Sequence, residues 1–489
     1  MVKQIRQTLR DSAPARWLAM VLVSGLMFGT YWFQDFMGGL KPLMESQLGF
    51  SSSDFGFVIG MTTIANVFGM IIVGGMILDK WGIRVAGLLF GAIAAIGAFI
   101  TAAGSAGLLG TDKSAVMWTM VAGRILFGVG LEVVCVVVTR TIVKWFKGKE
   151  LALAMGVNMG FGRLGSAIGV GFSSEIGGGS VSASVFFSAS VIGFALVMFL
   201  AYLMMDVKLD RQLSEGASFE EEEPFRLSDL LKLVTNPSFV AITLLCVAFY
   251  SAVFPFIQYA PDLLINKFGF TLSLPDLTHA TFFEKLQAWF TNGPKVTSLI
   301  PIGTILFTPV FGSIIDKKGK AATLMVLGSL LLIFAHLALS VFDNVILGYA
   351  GLVALGVAFS LVPASMWPSV AKIVPENRLG TAYATMFTVQ NWGLAAFFWG
   401  IGKVLDLSNP EIVSQIETKR EALKASGLTT EAIGEAVDLA RTAGEIPPYN
   451  YTVPILMLVV LGIVSIFLAL MLKNASAKQG YGLENPSNG

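Results

Sequence analysis

Charge is what this chain has little of, and the shortage decides its solvent. Only 13% of the 489 residues are Asp, Glu, Lys or Arg, while 55% are hydrophobic. A soluble domain carries about 25% charged residues, so a water-facing enzyme or scaffold is excluded. Acids and bases nearly cancel, leaving +1. Without a basic surplus, a nucleic-acid partner is excluded as well. Cysteine is almost absent. Cys135 and Cys246 each sit in an apolar stretch, which rules out a disulfide framework and gives no redox compartment. Histidine is limited to His279 and His336. No metal-ligand cluster, nucleophile elbow or phosphate-cradling loop is present, so no metal, cofactor or enzymatic activity is expected.

Long apolar runs are what the chain does have. A bilayer core about 30 Å thick takes roughly 20 apolar residues per helix. Twelve runs qualify, near 17–39, 53–78, 85–107, 115–143, 151–175, 181–205, 238–264, 295–315, 321–342, 345–370, 378–404 and 451–473. They predict an all-α membrane protein of two six-helix pseudo-symmetric bundles, residues 1–205 and 238–473. A polar linker, 206–237, joins them, and a tail, 474–489, follows. The first run comes after Lys3, Arg6, Arg10 and Arg16 and carries no small-residue cleavage site. It reads as a retained helix.

The linker holds the acidic run Glu220–Glu223, read as a solvated face, and a helical stretch over Leu227–Val234. Lysines and arginines gather in the short loops on one side, at Lys80, Arg84, Lys144, Lys147, Lys149, Lys317, Lys318, Lys320, Lys372 and Arg378. Both termini are therefore expected to be cytoplasmic. Two outer loops are long. Residues 266–294 contain an amphipathic segment, Phe282–Phe290. Residues 405–450 read as two short helices, started at Pro410 and Thr430 and ended at Gly427 and Gly444. This outer cap reads as structural padding.

Two hairpins, almost half the chain apart, repeat one pattern. The first is Gly75-x-x-x-Asp79-Lys80-x-Gly82-x-Arg84; the second carries Gly312, Asp316 and Gly319. Gly75 is expected to let helices approach closely, Asp79 to face a positive helix N-terminus, and Gly82 to allow the turn. A duplicated charged hairpin at matching places marks a two-bundle transporter. Its role would be to hold one side shut in one state and release it in the other.

Span 4 carries Arg124-x-x-x-Gly128-x-Gly130 and then Glu132; span 5 carries Arg163. Each charge lies roughly 18 Å along its helix from the basic-loop end, near mid-membrane on adjacent helices. Charge there is costly and usually marks a pathway. An acid and a base at one depth suit a zwitterion, Glu132 taking an ammonium and Arg163 forking a carboxylate. A structural pair that neutralises itself is the other reading of the same residues. Tyr31 and Asp35 in span 1, Tyr259 in span 7, Trp367 in span 10, and Gln390 and Asn391 in span 11 are candidate cavity walls. His336 reads as packed. Four-spaced glycines in span 5, Gly156/Gly160 and Gly165/Gly169, suit close helix crossing.

The hairpins and the span-4 motif resemble those of the major facilitator superfamily. Within it, the stretches Phe127–Ser166, Trp367–Tyr383 and Gln390–Ala395 resemble the lysosomal dipeptide transporter branch. That resemblance implies a twelve-helix fold, rocker-switch alternating access, and facilitative uniport of dipeptides or similar small zwitterions. It also implies that Glu132 and Arg163 stand where the family holds the peptide's amino and carboxyl ends. Span 1 lacks the E-x-x-E-R signature of proton-driven peptide carriers. The N-terminal tail has no acidic dileucine signal, which argues against a lysosomal address, and the compact tails suggest a bacterial relative in the plasma (inner) membrane. Lysosomal members pair with a glycosylated accessory subunit; a bacterial member is expected to do without it, leaving the lipid bilayer as its surroundings. Two rivals stay open. One is a proton-coupled carrier of an organic anion, with Arg163 and Arg124 on the anion and Glu132 carrying the proton. The other is a membrane sensor that binds without transporting, against which the two gating hairpins argue.

Overall fold

Inside a bilayer no water is available to bond the backbone, so helices must satisfy it internally. The computed structural model describes residues 8–213 and 227–486; the Glu220–Glu223 run lies outside them. Among the described residues there is no strand, only an isolated bridge between Thr271 and Asn292. The spanning helices are α1 (Ala13–Leu48), α2 (52–81), α3 (83–105), α4 (Lys113–Phe146), α5 (Leu151–Ile176) and α6 (Val181–Leu213). The second half has α7 (Pro237–Phe268), α8 (Gly293–Lys318), α9 (Ala321–Ser340), α10 (Val345–Ile373), α11 (Leu379–Ser408) and α12 (Thr452–Gln479).

By length and composition alone, nine helices among the described residues can cross a membrane. That count takes α3 together with the end of α2 and omits α5 and α11. The omitted pair carry Arg163 and Asn391, polar groups that lower an average hydropathy.

Several boundaries differ from the expected spans. α1 runs on past residue 39, through a 3-10 segment at Phe36–Leu40 and a π turn at Met44–Leu48. α2 breaks at Gly69, whose φ is 78°. α2 and α3 are separated by one non-helical residue, Gly82, at φ 76° and ψ 172°. That region is open essentially to glycine alone. α6 continues to Leu213, so Asp206, expected to open the linker, is a buried helical residue. It accepts from Arg84 Nε at 2.6 Å, Lys144 Nζ at 2.7 Å and Tyr202 Oη at 2.8 Å. The linker helix Leu227–Val234 forms as expected.

On the face carrying the 405–450 insertion the halves close tightly. A Cβ on Gly402 of α11 would lie 1.9 Å from the Ser52 carbonyl oxygen of α2. Asp406 of α11 accepts from the backbone N–H groups of Ser52 (3.0 Å) and Ser53 (2.7 Å), capping α2 from the opposite half. Ion pairs add to the seam: Lys41–Asp262, buried, at 2.6 Å, and Lys295–Glu175, with the carboxylate partly exposed, at 2.7 Å. The insertion forms two helices, Pro410–Ala425 and Thr430–Thr442. It does more than pad. Although carried by the second half, it grips the end of α1. Arg441 pairs with Glu45 at 2.5 Å, the Tyr449 hydroxyl donates to Glu45, and Arg420 donates to the Ser46 and Gln47 carbonyls at 3.1 and 3.2 Å. The helix Phe282–Phe290 is present and has no buried residue.

The opposite face, with the two hairpins, is different. A Cβ on Gly75, Gly156 or Gly312 would meet nothing within 4 Å. The close approach expected at Gly75 is not made here; its neighbour Gly74 instead packs on Val133. The halves meet closely on the insertion face, whereas on the hairpin face these glycines look onto open space.

Candidate functional site

α4 and α5 bring Glu132 and Arg163 to the seam between the halves, both half-buried. Glu132 faces the Asn391 carboxamide of α11, a residue from the opposite half. Arg163 also crosses the seam, its guanidinium 4.4 Å from the Phe359 ring centroid of α10 and 5.9 Å from that of Phe254 of α7. No ion pair within 4 Å joins Glu132 to Arg163 among the described residues. Tyr31 of α1 packs on Gly162 and stands within electrostatic range of Glu132, Arg163 and Asp35. Cys135, one turn along α4 from Glu132, lies beside Tyr31.

The far wall is aromatic. Trp367 donates through Nε1 to the Tyr250 hydroxyl at 2.9 Å and stacks on Phe387 at 4.9 Å. Tyr250 stacks on Phe254 at 5.3 Å. This wall can hold an apolar or cationic side chain, while the two charged residues offer opposite poles to a small molecule.

The other candidate wall residues are engaged elsewhere, although Asp35 stays within electrostatic range of Arg163. Asp35 is buried at the seal, accepting from the Ser166 hydroxyl and from Gln258 Nε2 at 2.8 Å. Tyr259 is also in the seal, donating to the Phe398 carbonyl at 2.9 Å. Gln390 turns into the second half's core and accepts from Cys246 Sγ at 3.2 Å. His336 is fully buried, its Nδ1 2.9 Å from the Leu332 carbonyl oxygen. Sequence reasoning did not single out Phe254 and Phe359. A weak signal existed in their spacing: Phe254 lies four residues after Tyr250, and Phe359 eight before Trp367, so each pair shares a helix face.

Gating candidates behave differently in the two halves. Asp79 pairs with Arg140 of α4 at 2.5 Å rather than facing a helix N-terminus. Lys80 is exposed beside it. Arg84 ties α3 to α6 through Asp206 and Asp210. Arg124 is fully buried and donates to the Phe33 (2.7 Å) and Gln34 (3.2 Å) carbonyls, fastening α4 to α1. In the second half Asp316 is exposed with no ion pair among the described residues, and Gly319, at φ 69°, lies under the segment 483–486. Glu484 of that segment accepts from the Thr323 N–H at 3.0 Å and pairs with Lys473 at 3.4 Å.

Comparison with known proteins agrees with this architecture. The family model described as Major Facilitator Superfamily matches residues 8–398. The lysosomal dipeptide transporter MFSD1 of Danio rerio is 29% identical over 405 residues, 80% of this chain and 81% of that protein. The MFSD1 of Homo sapiens is 28% identical over 409 residues, 80% of each. The crystal structure of the nucleoside transporter NupG aligns with a TM-score of 0.62 at 16% identity, covering 94% of this chain and 98% of that one. A bacterial homolog to the human lysosomal transporter Spinster, inward-facing and occupied, gives 0.60 at 15%, covering 95% and 98%. The family match runs through both halves and the site between them, and so this chain belongs to the Major Facilitator Superfamily of multi-pass membrane transporters.

Proposed function

We propose that the protein moves dipeptides, or zwitterions of similar size, by alternating access, with Glu132 holding the amino end and Arg163 the carboxylate. One observation carries this reading. Two opposite charges meet at the seam, half-buried and not paired with each other, and each is held instead by a side chain of the other half. A structural pair would satisfy itself; this pair leaves both poles to a ligand. The similarity to MFSD1, a lysosomal dipeptide transporter by name, supports the same substrate class.

We take the basic loops to be cytoplasmic, in the plasma membrane of a bacterial relative; on that orientation the open space beside the hairpin glycines supports an inward-facing reading. Facilitative transport is part of the same reading and follows from the resemblance to the dipeptide-transporter branch; Glu132 and Asp35, which face an amide and an amide-plus-hydroxyl, are the groups a proton-coupled mechanism would use instead.

The test is flux in vesicles containing only this protein. Counterflow of a labelled dipeptide should proceed without a proton gradient. It should fall at least tenfold in Glu132→Gln and in Arg163→Ala, the size expected on losing a charge-assisted contact of about 1.5–3 kcal/mol. Uptake of monocarboxylates but not dipeptides, driven by a proton gradient, would overturn this reading in favour of an organic-anion carrier. Binding without flux would favour a sensor.

A further inference from the structure

Arg163 is a cation in a partly desolvated site, and the acids near it are already engaged. Asp35 accepts from Ser166 and Gln258. Glu132 faces Asn391. What lies closest on the opposite half is aromatic: Phe359 at 4.4 Å and Phe254 at 5.9 Å from the guanidinium carbon. The two rings meet edge to face at 5.4 Å and 85°. Phe254 is stacked on Tyr250, whose hydroxyl is fixed by Trp367. Phe359 is buried, 1% exposed, so its ring cannot easily turn away. The bracket is therefore stiff and built from α7 and α10, while the cation it holds comes from α5.

A ring face attracts a guanidinium through its quadrupole. It does so without consuming the N–H donors, and without neutralising the charge as a carboxylate would. The five donors stay available as a fork for a planar carboxylate. Without the bracket, a flexible arginine at this depth gains by swinging toward Glu132, and both binding poles would be lost to an ion pair.

We propose that Phe359, assisted by Phe254, is the positioning residue for Arg163, keeping its guanidinium away from Glu132 and its donors open to the substrate carboxylate. The inference rests on the terminus-holding reading of Arg163 given above.

Initial-rate uptake of a dipeptide into vesicles of purified protein separates the two claims. Phe359→Leu should raise KM about tenfold, the upper part of the cation–π range, with Vmax kept within about twofold. Phe359→Tyr, which restores a ring face, should return KM to within about twofold of the parent. Phe254→Leu, at the more distant ring, should give the same pattern at about threefold, and it carries the test if Phe359→Leu is not recovered folded. An unchanged KM in both leucine variants, with uptake lost in Arg163→Ala, would overturn the bracket and leave the terminus-holding reading standing. Equal loss in Phe359→Leu and Phe359→Tyr would also overturn it, since a packing residue alone behaves that way. Unchanged KM in Arg163→Ala would overturn the terminus-holding reading itself.

Discussion

Single residues differ sharply in how visible they are in a sequence. Glu132 and Arg163 stand out because ionisable groups in an apolar run cost several kcal/mol and need a reason. Phe359 does not stand out, because its one-letter context matches that of Phe334 or Phe467, which are exposed on the outer helix surface. Only the fold tells a ring facing a guanidinium from one facing lipid. Gln390 and Asn391 are adjacent, yet they turn to different places, the core and the seam; the sequence offered them together. In the cap, Asp438 lies 3.5 Å from the Ser46 hydroxyl, and burial pushes its carboxyl up to about 6, against the opposing pull of Arg441 and Ser46. A raised carboxyl means that the folded state holds a proton which the unfolded state has already lost. Stability contributed by this residue therefore falls as pH rises from about 4 to about 6 and stays low above that. Asp438→Asn should raise the melting temperature by about 2 °C at pH 7.5 and flatten its rise on acidification. Parallel melting curves for parent and variant from pH 7.5 to 5 would contradict this.

At the level of elements, α5 shows one helix serving two ends of the molecule. On the sealed side, Gly165 and Gly169 pack against the α1 backbone, their Cβ positions 2.3 Å from the Phe28 carbonyl oxygen and 2.8 Å from that of Trp32. Toward the hairpin side, Gly156 faces open space. The four-spaced glycines were legible as close-packing devices. Which pair is engaged was not, because that depends on the conformational state. Helix existence was legible throughout, since apolar length dictates it. The α2–α3 boundary was blurred because one glycine suffices for the turn, and the end of α6 because Asp206 reads as polar linker until Arg84 and Lys144 are seen around it.

The insertion is the element whose role changed most, since nothing in its amphipathic pattern says that Arg441 reaches α1. Glu45→Gln should leave Arg441 only the weaker pull of Asp438 and Asp262 and loosen the seal by about 1.5–3 kcal/mol, the worth of a charge-assisted hydrogen bond. Cys135, half-buried beside Tyr31, is the reporter. In a Cys246→Ser background, a membrane-impermeant maleimide should label Cys135 slowly from the insertion face of the parent and at least tenfold faster in Glu45→Gln. Equal rates would show that the clasp does not hold this face closed.

Over the whole molecule, the asymmetry between faces is the main statement the fold makes about mechanism. One face is shut by a backbone-close crossing of α2 and α11 and by ion pairs between halves; on the other, both hairpin glycines face open space. A carrier that alternates would exchange these conditions, and the proposed substrate site is the seam between the halves. The central claim is that each end of a zwitterion is held by its own charge there. It is tested most directly by melting curves of detergent-purified protein with a free dipeptide, its N-acetylated form and its C-terminal amide, for the parent, Glu132→Gln and Arg163→Ala. A ligand that binds only the folded state raises the melting temperature. The account predicts a rise with the free dipeptide alone, abolished in both variants. A rise of equal size with either blocked peptide, or one that survives in both variants, would contradict it.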